Sequence, residues 1–364
     1  MKTIDAAVVG LGTNGLGAIK SAQGSGYVRR VVGVDINAGQ CQKAAEQFKI
    51  ETTTSLEKAL NDPDIKLIYI STSNAAHYPV AKAALLKGKK VLMEKPMGIN
   101  LKETEDLLAV AKETKGWLSI GFELRHYSRL YVRIKEILDS GEIGKLKHIN
   151  CQYSISPFGN SSDAERWRCS QELSGGIFPE KLCHYVDLPR WWDGTRVKSF
   201  FAAKGENVIP YYSIPDNVEL TYKFESGVVS HLTFTMNAAG AGKGDLIDTH
   251  DLTKQSKQGY RLSYQVIGAM GAVEANVFHR ELRIFHHPGK PGMGDQSLMT
   301  AVEKWKEKDD HFYFHNTTDE KKDAARRAAE GLPPAIDPED AAETMRLCYE
   351  VEDALYKPWA IVER

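Results

Sequence analysis

A lysine follows a short apolar segment in the sequence Val91-Leu92-Met93-Glu94-Lys95-Pro96. The segment is typical of a buried strand, and ligands of open α/β sheets bind beyond the carboxyl ends of strands. Pro96 disfavours helical geometry at Lys95 and its peptide bond can be cis, so the lysine is expected in a fixed bend. An ammonium group there could stabilise a developing oxyanion or, with a pKa depressed by burial, transfer a proton itself. The alternative is a lysine in a surface loop.

A histidine and two carboxylates occupy the segment from Pro179 to Asp187. Pro179 is suited to the first turn of a helix, and helical spacing then puts Glu180, His184 and Asp187 on one face. Histidine can accept a proton near neutral pH, and a neighbouring carboxylate would raise its basicity. The segment therefore predicts a general base. The alternative is a buried structural histidine that is hydrogen-bonded to Asp187.

A glycine-rich turn, Gly10-Leu11-Gly12-Thr13-Asn14-Gly15, joins an apolar strand over 5–10 to a helix over 16–23. The first glycine permits the tight turn and the second allows a pyrophosphate close to the backbone. The third lets the helix pack against the strand, with its N-terminus facing the phosphates. A second strand over 31–34 ends in Asp35, twenty residues beyond Gly15. An acid at that spacing accepts hydrogen bonds from an adenosine ribose and repels a 2′-phosphate, so NAD is favoured over NADP.

Strands and helices alternate through the first third of the chain. Helical patterns at 44–48, 56–60, 79–87 and 101–112 separate apolar strands at 67–70, 91–93 and 118–120. This alternation predicts a parallel sheet that is covered by helices on both faces. A polar loop is predicted at 71–77, and its Thr72, Asn74 and His77 fall at the same sheet edge as Lys95.

Strand patterns follow one another after residue 121, and they predict an α+β domain built on a mostly antiparallel sheet. A helix is predicted at 131–138, and strands at 147–155, 197–203, 218–224, 228–236, 264–267 and 282–285. A long glycine-rich loop at 238–259 and a helix at 338–356 complete this half. The predicted division is an NAD-binding domain at 1–122 and a substrate-binding and oligomerisation domain at 123–364.

The composition is that of an ordinary soluble protein. The chain has 364 residues, 42% of them hydrophobic and 26% charged, with a formal net charge of -1. Neither a nucleic acid nor an anionic membrane is expected as a partner, because both would call for a basic excess. Five cysteines without a CxxC pair are typical of reduced thiols. No signal segment or membrane span is recognised, so a cytoplasmic location is expected.

Taken together, these motifs resemble the glucose-fructose oxidoreductase / inositol dehydrogenase (Gfo/Idh/MocA) family over essentially the whole chain. The resemblance rests on the glycine-rich turn, on Asn74 with His77, on Glu94-Lys95-Pro96, and on Gly175-Gly176 followed by His184 and Asp187. It implies a Rossmann domain followed by an α/β domain on a large open sheet. It also implies an NAD-dependent oxidoreductase that transfers a hydride between a nicotinamide and a hydroxyl carbon of a sugar, sugar derivative or cyclitol. A homodimer or homotetramer, formed through the open sheet face, is implied as well.

The resemblance also implies roles for individual residues. Lys95 would stabilise the developing oxyanion and His184 would take the hydroxyl proton, although which of the two is the base stays open. Glu180 stands where the family usually has aspartate, so a different substrate or chemistry is expected. The predicted catalytic residues are Lys95, His184 and Glu180, and the predicted cofactor-binding residues are Gly10, Gly12, Thr13, Asn14, Gly15, Asp35, Thr72, Asn74, His77, Glu94 and Lys95.

Residues of the second half are predicted to contact the substrate. They are Arg125 and Tyr127 in the loop after residue 121, Trp167 and Arg168 before the Gly-Gly pair, and Asp187. Interdomain or core contacts are the alternative for these side chains. No metal is predicted, because neither His286-His287 nor His311 with His315 completes a recognised ligand spacing.

Two other functions stay open at this point. An enzyme of the same fold could retain its NAD and use transient oxidation for elimination, epimerisation or glycoside cleavage. The second alternative is a catalytically silent NAD-binding sensor or partner protein. The presence of both Lys95 and His184 argues against the second alternative, because a binding module needs neither.

Overall fold

The computed structural model describes residues 2–155, 167–236, 261–287 and 297–364. Its first part is a parallel sheet of six strands in the order β3-β2-β1-β4-β5-β6, the order of a doubly wound dinucleotide-binding fold. The strands are β1 (Ile4–Val9), β2 (Val28–Val34), β3 (Glu51–Thr53), β4 (Ile65–Ile70), β5 (Lys90–Glu94) and β6 (Leu118–Gly121). The helices are α1 (Thr13–Gln23), α2 (Ala38–Phe48), α3 (Leu56–Asn61), α4 (Asn74–Leu86) and α5 (Leu101–Glu113).

The central strands of this sheet are apolar because helices cover both of their faces. Ala6, Ala7 and Val8 of β1 are completely buried, as are Leu67 and Ile68 of β4. The predicted alternation of strands and helices is therefore confirmed, and it brings the carboxyl ends of all six strands to one edge.

The polar loop after β4 is shorter than predicted. Helix α4 begins at Asn74, after the N-cap residue Ser73, so only residues 71–73 form the loop. The prediction began the helix at Pro79, whereas Pro79 lies inside α4. Asn74 and His77 consequently lie on the first turns of a helix.

The second part of the chain folds on a mixed sheet of nine strands in the order β14-β13-β12-β11-β7-β10-β9-β8-β15. Its pairs are antiparallel except β7 with β10, which is parallel. The elements are α6 (Arg129–Ser140), β7 (Leu146–Ser154), α7 (Gln171–Ser174), a π-helical turn (Phe178–Leu182), α8 (Cys183–Asp193), β8 (Val197–Lys204), β9 (Asn217–Phe224), β10 (Val229–Thr235), β11 (Arg261–Gly268), β12 (Gly271–Asn276), β13 (Glu281–His286), β14 (Leu298–Lys304), a 3₁₀ turn (Glu307–Asp309), α9 (Asp310–Phe314), α10 (Thr317–Glu330), α11 (Pro338–Ala354) and β15 (Val362–Glu363).

One face of this sheet packs on α8 through aromatic side chains. The ring of Tyr153 on β7 lies 4.7 Å from that of Tyr185 on α8 and 5.2 Å from that of Phe234 on β10. Tyr264 and Trp192 extend this core, with ring centroids 5.4 Å apart. The mostly antiparallel α+β domain is therefore confirmed, and α8 lies between its sheet and the first domain's strand ends.

Helix α10 belongs to the second half in sequence but packs on the first sheet. Its Ala324, Ala325 and Ala328 share a core with Ala18 and Ile19 of α1. This helix and strands β12 and β14 were not predicted, and the loop predicted at 238–259 lies outside the described residues. None of the helices in the described ranges is long and apolar enough to cross a membrane.

Candidate active site

The glycine-rich turn has the shape that a bound pyrophosphate requires. Gly10 has φ +89°, and a Cβ there would lie 2.6 Å from the carbonyl oxygen of Ser71. A Cβ at Gly15 would lie 1.8 Å from the carbonyl oxygen of Gly10, whereas one at Gly12 would meet nothing within 4 Å. No side chain caps the N-terminus of α1, where Thr13 and Asn14 are exposed. The backbone N–H groups of that first turn are therefore available to an anion.

Asp35 lies directly beside this turn, as its spacing predicts. One carboxylate oxygen accepts a hydrogen bond from the backbone N–H of Leu11 at 2.7 Å, and the other accepts from Asn37 at 2.8 Å. Each oxygen keeps a lone pair, and the side chain is half-buried at the end of β2. The donor set and the open space at Gly12 thus fit a dinucleotide whose ribose carries free hydroxyl groups.

Two side chains that were predicted to bind the cofactor, Asn74 and His77, are instead held by protein groups. The amide of Asn74 donates to the carbonyl oxygen of Ser174 at 2.9 Å. The ring nitrogens of His77 lie 2.8 Å from the carbonyl oxygen of Pro96 and 3.1 Å from that of Thr72. Asn74 and His77 are 4% and 1% exposed, so they position the loops around the site rather than face a ligand.

Glu94 and Thr72, which were also predicted to bind the cofactor at this edge of the sheet, are paired within the protein as well. The carboxylate of Glu94 lies 2.8 Å from the ammonium group of Lys321 on α10, so it anchors that helix to the end of β5. The hydroxyl of Thr72 donates to the carbonyl oxygen of Ser73 at 3.2 Å. Thr72 is half-buried.

Lys95 follows β5 and reaches the second domain, where its ammonium group donates to the backbone carbonyl of Glu180. Its peptide bond to Pro96 is cis. Burial by itself lowers the pKa of Lys95, but the acidic groups around it, Cys183 and Glu180 first, more than offset burial and raise the pKa. The direction is opposite to the depressed pKa considered from the sequence. Lys95 therefore stays an ammonium group at neutral pH.

Glu180 is buried and ion-paired. One of its carboxylate oxygens accepts from the guanidinium of Arg168 at 2.8 Å, and the other has no hydrogen-bond partner within the described part of the chain. Burial raises its pKa, but Arg168 and Lys95 more than offset burial and lower the pKa. Glu180 is therefore ionised, and its pairing joins two residues that were predicted to have separate roles.

The single helix predicted to carry Glu180, His184 and Asp187 on one face is interrupted between Glu180 and His184, while His184 and Asp187 both lie on α8. The residues from Phe178 to Leu182 form a π-helical turn, and α8 begins at Cys183. A π turn contains more residues than an α turn, so spacing by four no longer aligns side chains across it. Gly176, just before this turn, has φ +113°, and a Cβ there would lie 2.2 Å from the carboxylate carbon of Glu352.

Asp187 does not contact His184, and its predicted role in substrate binding is not supported. Its carboxylate accepts two hydrogen bonds from the guanidinium of Arg125 and a third from the hydroxyl of Thr344 at 2.6 Å. Arg125 also donates to Asp340 of α11. Arg125 and Asp187, both predicted to bind substrate, are only 5% and 1% exposed. They form a structural ion pair that ties the loop after β6 to α8 and α11.

The other residues predicted to contact the substrate are Tyr127, Trp167 and Arg168, and they are not part of the ion pair between Arg125 and Asp187. The hydroxyl of Tyr127 donates to Asp323 of α10 at 2.8 Å. Trp167 and Arg168 are half-buried, and Arg168 reaches the site through Glu180. Of the five residues predicted to contact substrate, Trp167 and Arg168 remain as candidates.

A carboxylate that was not assigned to the site faces His184. The Nε2 atom of His184 lies 3.7 Å from one oxygen of Glu123, and the other oxygen lies 2.5 Å from Nδ1 of His315. Glu123 and His184 are 2% and 5% exposed, whereas the side chain of His315 is 36% exposed. The sequence pointed to His315 only as a partner of His311, and it supplied no carboxylate. No local spacing could have joined residues 123, 184 and 315.

The charge states of this cluster follow from burial. Burial lowers the pKa of His184 to about 3, although Glu123 opposes that effect. Burial raises the pKa of Glu123, but His184 and the hydrogen bond with His315 outweigh burial and lower the pKa. His184 is therefore a neutral imidazole beside the ammonium group of Lys95, and Glu123 is a carboxylate.

Comparison with known proteins gives two family matches along the chain. Residues 4–122 match the model described as "Oxidoreductase family, NAD-binding Rossmann fold", and residues 131–274 match the "GFO/IDH/MocA C-terminal domain". Together these matches cover well over half of the chain. They confirm the predicted NAD-binding Rossmann domain.

Curated relatives include the inositol 2-dehydrogenase of Salmonella typhimurium, 32% identical over 55% of this chain and 58% of that protein. The match thus spans a little over half of that relative's length. The myo-inositol 2-dehydrogenase of Thermotoga maritima is 22% identical over 88% of this chain and 87% of that one.

Solved structures share the whole fold. Levoglucosan dehydrogenase in complex with NADH superposes with a TM-score of 0.81 at 18% identity, over 100% of this chain and 99% of that one. GenD2 from gentamicin A biosynthesis, in complex with NAD, gives a TM-score of 0.77 at 22% identity, over 100% and 97% of the two chains. The two-part architecture predicted from the sequence is therefore confirmed.

Proposed function

The chain belongs to the Gfo/Idh/MocA oxidoreductase family, and on that premise we propose that it is an NAD-dependent dehydrogenase or reductase. Its substrate is a sugar, sugar derivative or cyclitol, and the reacting atom is a hydroxyl carbon. One contact carries the proposal. The ammonium group of Lys95, which follows strand β5 of the first domain, donates to the backbone carbonyl of Glu180, and Glu180 is four residues before His184. This contact supports a site in which a cationic donor, Lys95, and a neutral imidazole, His184, lie at the edge of the first sheet that also carries the glycine-rich turn.

Lys95 and His184 have complementary roles in this reaction. A hydride leaves a carbinol carbon only as the hydroxyl proton is withdrawn, so one oxygen must meet both a base and an oxyanion stabiliser. Because its pKa is raised, Lys95 remains the cation that stabilises the oxyanion. His184 is neutral and accepts the proton. Loss of an oxyanion donor typically costs about 10²–10³-fold in rate, and positioned acid–base groups contribute about 10²–10⁴-fold.

The cofactor is held by the first domain. The N–H groups at the start of α1, from Gly12 to Gly15, would hold the pyrophosphate, and Asp35 would bind the adenosine ribose. When bound, the nicotinamide accepts or donates the hydride. The protein's own share is to orient the hydroxyl, to stabilise its oxygen and to move its proton.

A purified sample tests the proposal directly. The protein is assayed for co-purified nicotinamide and then offered aldoses, glycosides, uronates and inositols while the absorbance of reduced cofactor is followed. Net formation of reduced nicotinamide with any of these substrates supports a dehydrogenase. Turnover of a substrate without net formation indicates the alternative in which NAD is retained and oxidation is transient.

Two variants test the catalytic residues. Lys95→Ala is expected to lower kcat by about 10²–10³-fold and His184→Ala by about 10²–10⁴-fold, with NAD affinity preserved. Lys87→Ala and His279→Ala serve as matched controls, because both side chains are exposed, at the C-cap of α4 and on the turn after β12. Unchanged activity in Lys95→Ala and His184→Ala would show that the assignment is wrong.

A further inference from the structure

A buried base must lose the proton that it gains. His184 is 5% exposed, and burial lowers its pKa to about 3, so an imidazolium there is unstable. Its Nδ1 atom is buried and has no hydrogen-bond partner within the described ranges. If His184 takes one proton in each oxidative turnover, a route must carry that proton to solvent.

Such a route begins at the other ring nitrogen. Nε2 of His184 faces Glu123 at 3.7 Å, which is longer than a hydrogen bond but within the range that closes when a substrate binds or a water molecule bridges the gap. The second oxygen of Glu123 lies 2.5 Å from Nδ1 of His315. His315 has 36% of its side chain exposed, so the three groups extend from the interior to the surface.

We propose that Glu123 and His315 form a proton relay between His184 and solvent, an inference that rests on the dehydrogenase function proposed above. In oxidation the electron pair of the C–H bond leaves with the hydride, and the hydroxyl proton passes to His184. The Nε2 proton of the resulting imidazolium moves to the carboxylate of Glu123. The carboxyl group then turns, and a flip of the His315 ring presents its unprotonated nitrogen, which accepts the carboxyl proton while the proton on the other ring nitrogen leaves to water. Rotation of the His184 ring then turns its protonated nitrogen towards Glu123 and its lone pair towards the substrate, and reduction uses the same path in reverse.

Glu123 has a second effect as a positioning residue. A carboxylate that faces Nε2 favours the tautomer with a hydrogen on Nε2, and the lone pair is then on Nδ1. The buried and unpartnered Nδ1 is consistent with an atom reserved for the substrate hydroxyl. The side chain of Glu123 is fixed by His315, and its backbone carbonyl accepts from the hydroxyl of Ser128 at 3.3 Å.

The decisive experiment measures hydride transfer and proton release separately. The NAD-loaded protein is mixed rapidly with an active polyol in weak buffer, and the absorbance of reduced nicotinamide and that of a pH indicator are followed together. In the wild type the two signals should rise together. In His315→Ala, proton release should lag behind the first round of hydride transfer by about tenfold or more, and added imidazole should restore it.

Glu123→Gln and His311→Ala complete the set. The glutamine has the same shape but cannot carry the proton, so its lag should persist in the presence of imidazole. His311 is exposed, hydrogen-bonds Thr318 at 2.8 Å and lies outside the cluster, so its variant should behave as wild type. NAD affinity, followed by fluorescence, and thermal midpoints confirm that each variant is folded. Should Glu123→Gln fail to fold, the imidazole response of His315→Ala still decides the question.

Three outcomes would overturn the relay. Proton release that keeps pace with hydride transfer in His315→Ala and Glu123→Gln would exclude it, while the dehydrogenase function would stand. Absence of reduced nicotinamide from every wild-type reaction would remove the proposed function and the relay together. Stoichiometric zinc in the purified protein would also overturn it, because two imidazoles and a carboxylate are ordinary zinc ligands and metal binding would occupy the histidine lone pairs.

Discussion

Lys95 and His184 have ordinary pKa values about four units apart, and their surroundings drive these values further apart. Acidic groups raise the pKa of Lys95, and burial lowers that of His184 to about 3. Pairs of titratable groups whose pKa values are separated in this way commonly divide the acid and base roles of an enzyme. The proposed mechanism therefore assigns to His184 the role of base, which the sequence left open between the two residues.

His184 should also make the protein less stable in acid. The unfolded chain binds a proton at this histidine near its ordinary pKa of 6.5, whereas the native protein does not do so until about pH 3. The free energy of unfolding therefore falls as the pH decreases through that window. Glu123 opposes this effect, whereas Lys95, His315 and Lys181 add to it.

Urea unfolding at a series of pH values measures this effect. His184→Asn should show a smaller loss of unfolding free energy between about pH 6.5 and 4 than the wild type. His279→Asn is the control, since His279 is exposed on the turn after β12. Equal slopes for the wild type and His184→Asn would contradict the neutral, buried imidazole.

Asp35 should set the choice between NAD and NADP. Its carboxylate is held beside the glycine-rich turn by the backbone N–H groups of Leu11 and Asn37, so it would repel a 2′-phosphate on the ribose. Asp35→Ala should lower the ratio of kcat/KM for NAD over NADP by at least about tenfold, which is about 1.4 kcal/mol. The ratio is measured with the substrate found in the panel, and Asp64→Ala, on an exposed turn, is the control. An unchanged ratio in Asp35→Ala would exclude this role.

At the scale of secondary structure elements, the ion pair between Arg125 and Asp187 joins the loop after β6, α8 and α11. Removing one partner of a buried ion pair leaves an uncompensated charge and costs about 3–5 kcal/mol. Asp187→Ala should therefore lower the free energy of unfolding by that amount in urea titrations. Asp139→Ala removes an exposed pair with Lys135 on α6 and should change it by less than about 0.5 kcal/mol.

The comparison of these two variants also tests the correction to the predicted site. If Asp187 bound the substrate hydroxyl groups, Asp187→Ala would raise KM while leaving stability nearly unchanged. The structural role requires the opposite result, because Asp187 is 1% exposed and its oxygens are occupied by Arg125 and Thr344.

The elements that the sequence predicted well are those with a local signal. The glycine-rich turn, the apolar strands of the first sheet and Asp35 are each defined within about twenty residues, and all three were placed correctly. The π-helical turn before α8 has no such signal, because proline and spacing by four predict an ordinary helix. The helix start at Asn74 was also missed, since the prediction began that helix at Pro79.

At the scale of the whole molecule, the contacts that sequence reasoning missed are those between distant segments. Glu123 meets His315 across 192 positions, and Lys321 meets Glu94 across 227. Both contacts depend on the return of the chain after β14 to the first domain, where α10 packs on α1. No sequence pattern within one segment predicts that the chain returns to the first domain. The contacts of His315 and Lys321 could therefore be found only in the folded chain.

The open face of the nine-stranded sheet should form the contact between copies of the chain. The family resemblance favours a dimer or tetramer through this face, which carries half-exposed polar side chains such as Asn150, His231 and Thr233 on its central strands. Light scattering on a sizing column should give a mass of two or four times 40.5 kDa. Gln152 lies on β7, the central strand of the nine in this sheet, where it accepts a hydrogen bond from Arg261 at 2.9 Å.

Gln152→Arg tests the assembly at its centre. The new guanidinium adds to the charge of Arg261 and, in a symmetric contact, meets the same pair on the other copy, so like charges are brought together as water is excluded. The variant should dissociate at protein concentrations where the wild type remains assembled. Gln42→Arg makes the same change on an exposed position of α2 and should leave the mass unaltered. A wild-type mass of 40.5 kDa, or an assembly that tolerates Gln152→Arg, would place the contact elsewhere or remove it.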